Sequence, residues 1–126
     1  MTLAERDEDL VYNLTKAMHL GYEDYASADP GSIGWHIDRQ DFNWVVPFHN
    51  GAIRYFHEIE RWTSENEAHN QQLISRQTIL NSAWQEVMQL TSPVTGVFSR
   101  EELPDLWQHL RAMRLRQAGF DPVWED

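Results

Sequence analysis

Pro47 and the Asn50-Gly51 pair divide the stretch from Trp44 to Trp62, WVVPFHNGAIRYFHEIERW, into pieces that cannot share one element. Proline lacks the N–H that a helix interior needs, while Asn-Gly bends the backbone with little strain. Val45-Val46 therefore reads as extended, His49-Asn50-Gly51 as a turn, and about Asn50 to Arg61 as a helix. Ala52, Ile53, Phe56 and Ile59 recur on one face of that helix. Arg54 and Glu58 stand at i,i+4 on the outside, where opposite charges pair.

Three further stretches carry the helical period. The first covers roughly residues 3–27, with Thr2 and Glu5 as a capping box and a stripe through Leu3, Leu10, Val11, Leu14, Ala17, Met18, Tyr22 and Tyr25. Asp29-Pro30-Gly31 ends it. Residues 28–48 read as mostly irregular, with Asp38 capping one short turn through Phe42. A long helix opens at Ser64, boxed with Glu67, and runs to about Leu90. Its first two turns are polar, and the expected packing falls on Leu73, Leu80, Ala83, Trp84, Val87 and Met88. Ser92-Pro93 stops it, and Pro93 to Phe98 reads as a linker. The last helix covers about 100–118, with Leu103, Leu106, Trp107, Leu110 and Met113 on one face. Ser99 with Glu102 is one candidate start and Pro104 in the first turn another; Gly119 fits the residue just past the end. No stretch sustains a period of two. The expectation is an all-α chain: a single helical domain over residues 1–126, about four helices in a small bundle, with an irregular segment between the first and second helices.

With 126 residues and 41% apolar content the chain can bury a modest core, and a charged fraction of 24% argues against global disorder. Its formal charge of -10 is the wrong sign for nucleic acid, whose phosphates demand clustered Lys and Arg, and for an anionic membrane surface. Acidic residues crowd Glu5–Asp9 and Asp121–Asp126, which read as solvated ends. The absence of cysteine removes disulfides, thiol chemistry and thiolate metal sites. MTLAERDEDL lacks the basic and apolar regions of a secretory signal, and no apolar run approaches the roughly 20 residues that span a bilayer.

Six histidines raise the question of a metal. His57-Glu58 begins like HExxH, but Arg61 takes the second histidine's place and cannot ligate. His19 with Glu23, and His69 near Glu65, read as solvated helical pairs, so no metal and no cofactor is expected. No G-x-S-x-G elbow and no G-x-x-x-x-G-K-[ST] loop occurs, and no carboxylate pair stands out; the chain does not read as an enzyme. His49, Asn50 and Gly51 are the candidate ligand-binding residues. A turn entering a helix offers free N–H groups and a positive dipole end to a carboxylate. The competing and preferred reading has Asn50 capping the helix and His49 packing on Phe48 or Trp44. Trp44, Tyr55, Phe56, Trp62 and Trp84 read as core or interface residues rather than a pocket lining.

Three stretches also carry a resemblance. Val46-Pro47-Phe48-His49-Asn50-Gly51-Ala52-Ile53-Arg54-Tyr55-Phe56-His57-Glu58 is similar to the (I/V)P(Y/F)H-x-GA-x-(R/K)-Y-(F/Y)-x-E pattern near the end of TAXI-type solute receptors, which serve TRAP transporters. Val11-Tyr12-Asn13-Leu14-Thr15-Lys16-Ala17-Met18-His19 resembles that family's VY-x-LTKA-(M/I)-H helix, and Ala68-His69-Asn70, Leu73-Ile74, Arg76-Gln77 and Ala83-Trp84 resemble its last long helix. Residues 9–90 are covered in order; 92–126, a linker plus an extra helix, are not. The resemblance implies a receptor's C-terminal region, with a small organic acid or amino acid as ligand and a TRAP membrane permease as partner. The family's cleft lies between two α/β lobes of which this chain holds only the final portion, so it is not expected to enclose a ligand alone. The resemblance implies the periplasm; a complete chain without an export signal implies the cytoplasm. The alternative is a stand-alone helical interaction module that dimerises through apolar surface its own helices leave open.

Overall fold

The computed structural model describes residues 2–94 and 96–123, and among them every regular element is helical. Residues 124–126 of the acidic tail lie outside the described residues. The helices are α1 (Glu8–Leu20), α2 (Tyr22–Tyr25), α3 (Asn50–Glu58), α4 (Ser64–Leu90) and α5 (Leu103–Gln117), with short 3-10 turns at Pro30–Trp35, Ile37–Arg39 and Arg100–Glu102. The chain falls into two compact units, residues 1–71 and 72–126.

In the first unit, α1 is shorter than the periodicity predicts. The Thr2–Glu5 box gives way to a turn in which the Arg6 N–H donates to the Leu3 carbonyl, and the Asp7 carboxylate caps α1 by accepting from Leu10 N–H at 2.8 Å. Glu8 and Asp9 then occupy the first turn, where the helix dipole favours them. Gly21 closes α1 and separates it from α2. The irregular segment holds two capped turns. Asp29 accepts from Gly31 N–H, and His36 Nδ1 accepts from Asp38 N–H, so Asp38 lies inside its turn rather than at the cap.

Ile53, Tyr55, Phe56 and Trp62 form the core of this unit, with Tyr12, Ile37, Phe42, Phe48, Ala52 and Ile59 packed around it. Phe42 meets Phe56 edge to face at 4.9 Å and Trp62 at 5.8 Å, the geometry in which aromatic pairs gain about 0.5–1.5 kcal/mol beyond area burial. The apparently irregular residues 37–48 thus supply three of the cluster's ten side chains, Ile37, Phe42 and Phe48. Leu10 and Leu14, by contrast, stay exposed, because α1 turns Val11 and Tyr12 toward α3.

The start of α4 is capped by Thr63, one residue before the expected Ser64. Thr63 and Asn66 exchange side-chain and backbone hydrogen bonds, while Glu67 instead accepts from the Trp62 indole N–H at 2.8 Å.

In the second unit, Ala83, Val87 and Leu110 are buried, and Leu103, Leu106, Trp107 and Met113 pack on them. Arg114 forks onto Glu86 with contacts of 2.8–3.1 Å. Both expected starts of the last helix are used in sequence. Glu102 accepts from the Ser99 N–H and hydroxyl around the 3-10 turn, and Pro104 then stands in the first turn of α5. Gly119, at φ 80°, ends α5 in a Schellman motif: its N–H reaches Arg116 C=O and that of Phe120 reaches Leu115 C=O. The buried Arg111 donates to Pro122 C=O at 2.9 Å and ties down the following residues.

Candidate functional site

The most elaborate polar arrangement among the described residues is the joint between α1 and α3. Its closest approach is at Gly51. A Cβ there would lie 2.4 Å from the Glu8 carbonyl and 2.8 Å from the Tyr12 nitrogen, both backbone atoms, so α3 can seat on α1 only with glycine at 51. His49, not Asn50, is the N-cap of α3. Its Nδ1 accepts from Gly51 N–H at 3.0 Å, while Nε2 lies 3.1 Å from the Arg6 carbonyl. Those two contacts together require the neutral tautomer with the proton on Nε2. One imidazole therefore closes the helix end and ties it to the chain entering α1.

Farther along, the two helices are linked by side chains. Tyr12 hydroxyl donates to Glu58, and Lys16 donates to Glu58 at 2.7 Å and to the Tyr12 hydroxyl at 3.1 Å. Hydrogen bonding to Lys16 first, then to Tyr12, holds the Glu58 carboxyl below the usual range; the bonds to Glu58 and then Tyr12 raise Lys16. Arg54 grips Glu8 at 2.9 Å and Asp9 at 2.7 Å and lies over the Tyr12 ring, 4.2 Å from its centroid. The expected Arg54–Glu58 pair within α3 is thus replaced by pairs across the joint. Tyr55, 2% exposed, places its hydroxyl 2.6 Å from His19 Nδ1, and burial pushes its pKa up.

Of the three candidate ligand residues, His49 has both ring nitrogens engaged and the N–H of Gly51 is already donated to it. Asn50 is exposed at the first position of α3. The candidate metal pairs are not brought together as pairs. His19 contacts Tyr55, a break at Gly21 separates it from Glu23, and His69 Nε2 contacts the Trp44 carbonyl at 2.9 Å. Among the described residues no three His, Asp or Glu side chains gather as a metal site, and no helix is long and apolar enough to cross a membrane.

In the sequence Asn70 stands out only as part of a resembling string, yet it is 1% exposed and structurally central. Its Oδ1 accepts from Phe48 N–H at 2.8 Å, fixing the residue that follows Pro47, and its Nδ2 finds no acceptor in the protein. A polar residue in a polar helical turn gives no periodic signal of burial, so only contact with a distant segment reveals it. The aromatic set divides in the same way: Tyr55, Phe56 and Trp62 are core, while Trp44 and Trp84 remain exposed.

The two strings VYNLTKAMH and VPFHNGAIRYFHE therefore meet through the residues they are made of: Val11 and Tyr12 at Gly51, Lys16 and Tyr12 at Glu58, His19 at Tyr55. Neither a curated protein nor a solved structure matches the chain. Residues 1–59, the segment that contains both sides of this joint, match the model of the NMT1-like family, a family of periplasmic solute-binding proteins.

Proposed function

We propose that residues 1–71 are a scaffold element of a TAXI-type solute receptor, acting in uptake of small organic acids or amino acids through a TRAP-type permease in the periplasm. The observation that carries this reading is the meeting of the two motif strings at one helix joint. Motif residues that are consumed in holding α1 to α3 serve the receptor's architecture, and the ligand is enclosed by other parts of it. His49 and Gly51 accordingly serve as a structural junction, leaving Asn50 as the one candidate side chain open to a ligand.

A thermal melt followed by tryptophan fluorescence, with a panel of dicarboxylates and amino acids, tests this. The expected result is a cooperative melt whose midpoint none of them moves. A ligand at a hundredfold excess over Kd stabilises a folded chain by about 2.7 kcal/mol, so binding would be plain. A saturable shift with one acid, lost in Asn50→Ala, would overturn the scaffold reading and put a ligand site on the joint. Cosedimentation of the chain with vesicles holding a TRAP-type permease tests the partner; failure to cosediment would contradict it.

The second reading is a stand-alone helical interaction module. It is favoured by residues 72–126, which lie beyond the matched segment and possess their own core and helix caps.

A further inference from the structure

Within residues 72–126, α4 carries a second stripe beside the one that packs on α5. Ala83 and Val87 face Leu110, whereas Ile74, Trp84 and Met88 are 38%, 39% and 38% exposed and Gln77 and Asn81 are exposed with them. Ile74, Asn81 and Met88 are seven residues apart, and Gln77 and Trp84 fall between them at the offset of a coiled-coil seam. Trp84 stands edge-on to Trp107 at 5.3 Å, which fixes its ring from the α5 side.

Charge decides what can cover this stripe. The chain carries -10, so most contacts between two copies would press like charges together. From Asn70 to Leu90 the only charged side chains are Arg76 and Glu86, and Glu86 is engaged by Arg114. An uncharged stripe with Ile, Trp and Met is a place where a copy can approach without that penalty, whereas a cationic partner would favour the acidic surfaces elsewhere. Trp is also among the residues most enriched at interface centres.

We propose that a second copy of this chain packs on this stripe, α4 against α4, through Ile74, Gln77, Asn81, Trp84 and Met88. Asn81 lies midway between Ile74 and Met88 and therefore faces its own twin whether the helices run parallel or antiparallel. A carboxamide can donate to and accept from that twin, and a single such residue in an apolar seam selects pairing partner and register. The proposal rests on α4 alone and stands or falls separately from the receptor reading.

Sedimentation equilibrium over a wide concentration range tests it, with far-UV circular dichroism to verify that each variant keeps its helices. The full chain is expected to reach the mass of two copies. Asn81→Asp brings two carboxylates together and weakens the dimer by at least about tenfold, whereas Asn81→Leu tightens it; Met88→Glu also dissociates it. Both positions are exposed, so the fold tolerates these changes. The mass of one chain at every concentration would overturn the proposal. So would a dimer that neither Asn81→Asp nor Met88→Glu weakens.

Discussion

The two units solve the same problem with different materials. Residues 1–71 join helices far apart in sequence through an aromatic core and a lattice of charged side chains, with Lys16, Tyr12 and Glu58 at its centre. Residues 72–126 join consecutive helices through Ala83, Val87 and Leu110, with one Arg114–Glu86 fork at the side. Long-range polar joints need particular residues at particular places, and that is where the family model matches. Local apolar packing accepts many sequences.

Core truncation should separate the units most sharply. Phe56→Ala removes a ring that touches Phe42, Phe48, Tyr55 and Trp62, and should cost about 4 kcal/mol in denaturant unfolding; Leu115→Ala, which is fully buried, should cost about 3 kcal/mol. Phe56→Ala should also change the emission of Trp62, whereas Leu115→Ala should leave it unchanged. Gly51→Ala comes next, at about 3 kcal/mol, because the new methyl meets backbone that cannot rotate away.

The helix ends sharpen the comparison with opposite signs. α3 ends in the same Schellman pattern as α5, with Glu60 N–H to His57 C=O and Arg61 N–H to Phe56 C=O, but its left-handed residue is Glu60 at φ 57°. Glu60→Gly should therefore stabilise the first unit by about 1 kcal/mol, and Gly119→Ala should destabilise the second by about 1 kcal/mol. Thermal melts of both variants check this pair.

The smallest effect is the pH dependence. Glu58 lies below its ordinary 4.5, so its contribution is present above pH 4.5 and lost as pH falls through the lowered folded value. Lys16 lies above its ordinary 10.5, so its contribution is present below pH 10.5 and lost as pH rises through the raised folded value. Glu58→Gln should shrink the acid limb from the first unit, leaving the part from Glu67, whose carboxyl is lowered first by Gln71 and then by the Trp62 indole. It should leave the limb from Glu102, whose carboxyl is lowered first by the Ser99 N–H, unchanged. Unfolding midpoints across a pH series measure both.

Helical periodicity made the all-α class legible, and it located Asn50 and Ser64–Leu90 closely. It failed at Leu10 and Leu14, because a stripe shows that a helix has an apolar face, not that a neighbour covers it. The pairing of Arg54 was missed for a related reason: the i,i+4 rule sees only one helix, whereas Glu8 and Asp9 arrive from another. Caps were misplaced by one residue at His49 and Thr63, since His is an uncommon cap and Thr63-Ser64 offers two. Of the candidate site, the positions were legible in the resembling strings, but their role required seeing the strings touch.

The most direct test of that contact is a nitrogen-edited nuclear Overhauser spectrum of the full chain. With Gly51 seated on α1, the one of its two α-protons that takes the place of a side chain projects toward the Tyr12 nitrogen and should give a strong cross-peak to the amide proton of Tyr12. A folded, helical chain in which that cross-peak is absent would show that the two motifs do not meet, and would contradict the joint on which the functional reading stands.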